Sequence, residues 1–139
     1  MAEPHDTLVS VRAPVGDINV AFERCAAGRG IAAVRHKTGA RSFTYYAMRS
    51  LSDEFSIYEG EGTLFGAIGG DAFRSLQIAH PPEGILATFE ETVGPVDDLI
   101  ELNEHETGTL SLLRDTLLPA LLSGEITIRA AEKAVAEAV

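Results

Sequence analysis

The chain has 139 residues, a formal charge of −10 and one cysteine, enough for one ordinary domain with an appended element, and Cys25 alone excludes an internal disulfide framework. No apolar run approaches membrane-span length, and Met1-Ala2-Glu3-Pro4-His5-Asp6 has two acids and no basic export region, so the expectation is an unexported protein of the cytoplasm. The negative total argues against phosphate binding, yet seven basic residues stand against two acids from Val9 to Arg49 (+5), and three against twelve from Pro82 to Val139 (−9), so one end alone suits phosphate.

In chain order, Thr7–Arg12 alternates, Ala13-Pro14-Val15-Gly16-Asp17 punctuates, and Ile18–Phe22 alternates again, which predicts two strands joined by a turn. Gly30–Arg35 predicts a third strand, closed by the polar connector His36-Lys37-Thr38-Gly39. The period then changes: Phe43, Tyr46, Ala47, Leu51 and Phe55 recur at helical spacing behind Ser42, an expected N-cap. The glycines from Gly60 to Gly70 predict a loop, Asp71–Arg74 a short helical turn, and Ser75–Ala79 a strand ended by Pro81-Pro82.

Beyond Pro82 the pattern is mostly helical. Ile85, Leu86, Phe89 and Val93 form one apolar face, and a heptad reading after Gly94-Pro95 aligns Val96, Leu99, Asn103, Glu106, Leu110, Leu113, Leu117 and Ala120. Ser123-Gly124 should stop this helix, with another from Arg129 onward. Leucines on more than one side need a partner, either the first part of the chain or another polypeptide.

Few residues suggest catalysis. Gly28-Arg29-Gly30-Ile31-Ala32-Ala33 spells the dinucleotide fingerprint G-x-G-x-x-A, but Val34-Arg35 continues a strand where a helix is required, so a strand-leading turn is expected. Arg29 within it either reaches phosphate or is solvated. His5, His36, His80 and His105 have no metal-ligand spacing, Cys25 reads as a core thiol, and the pairs Glu90-Glu91 and Asp97-Asp98 read as solvated or subunit-facing surface. Arg35, Lys37 and Arg41 flank one connector as a candidate phosphate patch. Tyr45 and Tyr46 are adjacent, so at least one should point away from the core.

Leu112-Leu113-Arg114-Asp115-Thr116-Leu117-Leu118-Pro119-Ala120-Leu121-Leu122-Ser123-Gly124-Glu125-Ile126 resembles the ending of the specificity (S) subunits of type I restriction-modification systems: a helix with an Arg-Asp pair, a Leu-Leu-Pro step and a closing Ser-Gly-Glu. Leu102-Asn103-Glu104 through Leu110 is similar to the stretch preceding it. Upstream, Ser10–Gly16, Gly28-Arg29-Gly30, Phe43, Tyr45-Tyr46 and the loop from Gly62-Thr63 to Ile68 resemble, in order and spacing, the later part of a target-recognition domain. Phe89-Glu90 and Pro95–Asp98 sit where that domain passes into the family's conserved helix. Ala120 stands where a lysine is common, and His105 and Gly108 replace more usual helix formers.

The resemblance implies an α+β fold: a partial target-recognition domain over residues 1–81, with a small, mostly antiparallel sheet and packed helices, then a long coiled-coil-type helical region over 82–139 for spacing and dimerisation. A full S subunit has two such domains and two helices, so a truncated or half-length subunit is expected. It implies double-stranded DNA as ligand, with Arg12, Arg29, Arg35, Lys37, Arg41 and Thr63 as candidate contacts. It also implies docking to the methyltransferase (M) subunit, to the restriction (R) subunit through the complex, and self-association, with Leu110, Leu113, Leu117 and Leu121 as candidate interface residues. No catalytic residue, metal or cofactor is expected on this chain; S-adenosylmethionine belongs on the M subunit. Two alternatives stay open: a helical interaction module or remnant that no longer reads DNA, and, more remotely, an enzyme using the G-x-G-x-x-A segment.

Overall fold

The computed structural model describes residues 1–59 and 66–138. The fold is α+β, and the chain divides into two compact units, Met1–Asp97 and Asp98–Val139.

The first unit is built on a three-stranded antiparallel sheet, ordered β2-β1-β3, from β1 (Thr7–Ser10), β2 (Ile18–Val20) and β3 (Ile31–Val34). Thr7 pairs with both Val20 and Val34, so β1 is central. Its period of two turns Thr7 and Val9 into the protein and leaves Leu8 and Ser10 half-buried. The Gly28-Arg29-Gly30 segment is the expected turn: Ile31 N–H donates to the Gly28 carbonyl (3.0 Å), and β3 follows where a dinucleotide fold needs a helix.

Above the sheet lie α1 (Arg41–Arg49) and α2 (Ser52–Ser56), where the sequence pattern predicts one helix to Phe55. The interruption at Ser50-Leu51 lets Leu51 and Phe55 join Val9, Val15, Met48 and Ile68 in the core. The α1 face turned inward carries Ser42, Thr44, Ala47 and Met48, not the expected Phe43 and Tyr46, which stay half-buried. Gly16 makes this packing possible. Its φ is +86°, and an added Cβ would lie 2.5 Å from Phe55 Cβ, so both the backbone conformation and the space require glycine. A six-residue helix, α3 (Gly70–Ser75), follows. The strand expected over Ser75–Ala79 does not form: Leu76 packs against the core, but among the described residues no strand pairs with this segment, and alternation without a ladder partner leaves irregular chain.

Ser42 does not cap α1. The N-cap of α1 is Ala40, which has no capping side chain, and Ser42 lies inside the first turn with its hydroxyl buried and without a hydrogen-bond partner among the described residues. The cap comes from far along the chain. Glu90, in α4 (Glu83–Leu122), accepts from the backbone N–H of Phe43 at 2.7 Å and of Ser42 at 3.3 Å, two of the donors that a helix start leaves unsatisfied. Around it, Phe89 meets Tyr46 edge-on at 6.0 Å, the Tyr46 hydroxyl donates to Asp97 (3.1 Å), and Leu86 is buried, whereas Ile85, expected beside Leu86, is exposed. Burial, with the Asp97 carboxylate as a second cause, pushes the Tyr46 phenol upward.

The 40-residue α4 runs through Gly94 and Pro95 and contributes to both units. It ends at Leu122 as expected, with Gly124 at φ +74° and Ile126 N–H donating to the Ala120 carbonyl (3.2 Å). The last element is α5 (Ile128–Ala138). Of the candidate interface leucines, Leu110 is 51 % exposed, and Leu113, Leu117 and Leu121 are half-buried. No described helix is long and apolar enough to cross a membrane.

Replacing Glu90 with Ala strands two backbone donors and should destabilise the first unit by about 1–2 kcal/mol. Ser42→Ala, damaging if Ser42 were the cap, should cost far less. Urea denaturation of the two variants separates a cap supplied across the fold from a local one.

Candidate nucleic-acid interface

The segment following β1 is held on both sides. Val11 N–H donates to the Gly30 carbonyl (2.8 Å), Ile68 N–H to the Val11 carbonyl (3.0 Å) and Ala13 N–H to the Gly66 carbonyl (3.0 Å), with Arg12 bridged to Ala67. The bonds bring the turn before β3 and the end of the glycine-rich loop to Arg12. Gly30 faces the Arg12 stem, since an added Cβ would lie 3.8 Å from it. Around these residues opens a concavity of about 450 Å³ whose lining includes Arg12, Arg29, Phe73 and Arg74. Phe73 is stacked on the core residue Phe55 (centroids 6.2 Å apart), so the wall is fixed to the core.

Arg12 and Arg29 are exposed and have no ion pair among the described residues, so two candidate contacts share one depression. Arg74, which sequence alone leaves on an unassigned helical turn, is a third cation there. It bonds Asp71 at 2.8 Å, with both side chains largely exposed. The signal that finds it is its one-turn spacing from Gly70-Asp71 at the end of the glycine-rich loop. Thr63 lies outside the described residues.

The connector cations are used differently. Arg35 donates through Nε and Nη2 to Asp6 at 2.5 and 2.7 Å, and the Asp6 carboxylate, only 4 % exposed, also accepts from Glu3 N–H at 2.8 Å. His5, at φ +66°, lies within this tight Glu3–Asp6 turn, and Arg41 reaches its Nδ1 at 3.1 Å. Lys37 is exposed, with no ion pair among the described residues. The Arg35 hydrogen bonds hold the Asp6 carboxyl below its usual range against the opposing effect of burial, and the Glu3 N–H adds to them.

Folding also joins two histidines whose sequence positions gave no such signal. His36 Nε2 and His80 Nε2 are 2.9 Å apart, their ring centroids 5.2 Å apart, and His36 Nδ1 lies 2.8 Å from Thr38 Oγ1, with Phe43 edge-on to both rings. Among the described residues no three His, Cys, Asp or Glu side chains gather as a metal site, and Cys25 is a half-buried free thiol.

Comparison with known proteins gives two relatives from Methanocaldococcus jannaschii. One carries the name of a type I restriction enzyme MjaX specificity subunit, 29% identical over 131 residues, which are 93% of this chain and 31% of that protein. The other is the type I restriction enzyme MjaIX specificity subunit, 31% identical over 86 residues, 62% of this chain and 20% of that protein. These relatives bear out the resemblance: over nearly its whole length the chain is homologous to part of a type I restriction specificity subunit. It spans less than a third of the length of either relative. No family model and no solved structure matches it.

The Asp6–Arg35 pair sets a pH dependence. A carboxylate lowered by folding stabilises the protein fully above its unfolded pKa of about 3.9 and loses that contribution as pH falls through the lower folded value. Asp6→Asn should therefore lower the Tm by a constant amount above about pH 5, with the gap narrowing below about pH 4; scanning calorimetry against pH checks both the sign and the window.

Proposed function

We propose that this chain serves as a DNA-specificity component of a type I restriction-modification complex. It binds double-stranded DNA through its first unit and docks the methyltransferase subunit through α4. One observation carries the DNA reading: in a chain of net charge −10, Arg12 and Arg29 come together on one concavity without a carboxylate partner among the described residues. Guanidinium groups so placed suit phosphate or the acceptor edge of guanine. Lys37 is a further phosphate contact at the connector, and Thr63, Arg35 and Arg41 are candidates from the sequence, the two arginines with part of their donor capacity already engaged.

Catalysis in this reading belongs to the partners. The M subunit binds S-adenosylmethionine and methylates adenine, the R subunit joins through the assembled complex, and this chain, acting in the cytoplasm, positions them without a cofactor of its own. The relatives' names support the specificity role alone. Exposed Leu99, Leu102, Leu110 and Leu118 on α4 support a second reading, an interaction module that docks the M subunit without reading DNA.

Fluorescence anisotropy with random duplex DNA distinguishes them. Under the first reading the chain binds at low salt, and Arg12→Gln with Arg29→Gln lowers the slope of log K against log salt by about two. No binding with or without an M subunit, together with retained M-subunit docking, selects the second. With M subunit and S-adenosylmethionine, adenine methylation should require this chain.

The α4 leucines Leu110, Leu113, Leu117 and Leu121 suit a second copy. Sedimentation of the isolated chain should give an oligomer, and Leu113→Glu should shift it to monomer. A monomer unchanged by Leu113→Glu removes self-association through this helix.

A further inference from the structure

Arginines in the first unit differ in what holds them. Arg35 is bound to a carboxylate that is 4 % exposed and tied to a backbone N–H, so leaving it would strand a buried charge. Arg74 is bound to Asp71, whose side chain is fully exposed, one helical turn away; such a pair is weak and exchangeable. The Arg74 guanidinium lies over Gly70, where an added Cβ would sit 3.5 Å from Nη2, and it lines the same concavity as Arg12 and Arg29.

We infer that Arg74 is the third phosphate-binding arginine of this concavity, and that Asp71 is the stand-in ligand it exchanges for a DNA phosphate. The inference rests on the DNA reading above and adds a residue and a tuning partner to that site. A phosphate offers the guanidinium fork the same pair of oxygens as the carboxylate and remains attached to a chain of further phosphates within reach of Arg12 and Arg29. Asp71 also places a negative charge beside the path of DNA. It opposes binding twice, by occupying Arg74 and by repelling phosphate.

Anisotropy titrations of random duplex DNA on the full chain, from about 0.05 to 0.2 M salt, test the assignment. Arg74→Gln should weaken binding roughly five- to tenfold near 0.1 M salt and lower the salt slope by about one. Asp71→Asn should tighten binding about two- to fivefold, and most of that gain should vanish when Arg74 is already Gln. Arg114→Gln, in the other compact unit, changes the net charge equally and should leave the slope unaltered. Circular dichroism checks the fold of each variant. If Arg74→Gln leaves the slope unchanged while Arg12→Gln lowers it, the inference is overturned and the DNA reading stands. If the unaltered chain shows no salt-dependent binding, both fall.

Discussion

The first turn of α1 has donors that nothing nearby accepts. Gly39 and Ala40 offer no side-chain oxygen, and Ser42 is turned into the protein. The carboxylate of Glu90 closes this gap, and much of the first unit depends on it. It fixes the start of α1, whose other residues carry Ala47 and Met48 onto the sheet, and it sets the register of α4 against α1. Phe89 and Asp97, one residue before and seven after, meet Tyr46 from that register. Small residues let α1 lie close on the sheet: Ser42, Thr44 and Ala47 are all buried on its inward face. Larger side chains there would lift the helix off the strands.

A similar economy governs charge. With far more acids than bases, the placement of carboxylates decides which cations stay available. Asp6, buried and oriented by the Glu3–Asp6 turn, uses Arg35 to hold the N-terminal arm to the end of β3. Asp71 and Asp115 engage Arg74 and Arg114 at the surface, where solvent competes for every contact. Among the described residues Arg12 and Arg29 pair with no carboxylate, and the backbone bonds beside Arg12 join Val11, Ala13, Gly30, Gly66 and Ile68, none of them acidic.

Local chemistry was the legible part of this fold. Alternation found β1, β2 and β3, glycine and serine found the end of α4, and the Leu-Leu-Pro region disclosed the homology. Features set by partners distant in sequence were not legible. Ser42 has every local mark of a cap, but Glu90 lies 48 residues away. Ser75–Ala79 alternates as a strand should, yet a strand exists only if another lies beside it. In the candidate site, Arg12 and Arg29 were visible as cations but their meeting was not, because it requires β1 and β3 to be neighbours. Arg35 looked as available as either, since its partner Asp6 sits 29 positions away.

The histidine pair has a consequence of its own. The Nε2 separation of 2.9 Å and the centroid separation of 5.2 Å together mean that the rings meet end to end along one line, each centroid lying about 1.15 Å behind its nitrogen. One hydrogen fits between them. If His36 Nδ1 accepts from Thr38 N–H, 3.3 Å away, the hydrogen of neutral His36 is on Nε2, and His80 must receive it there and carry its own on Nδ1. The tautomer of His80, immediately before Pro81-Pro82 and the start of α4, is then dictated by a turn 44 residues earlier, and Thr38→Pro, which removes that N–H, would be felt as a change in which nitrogen of that distant ring donates.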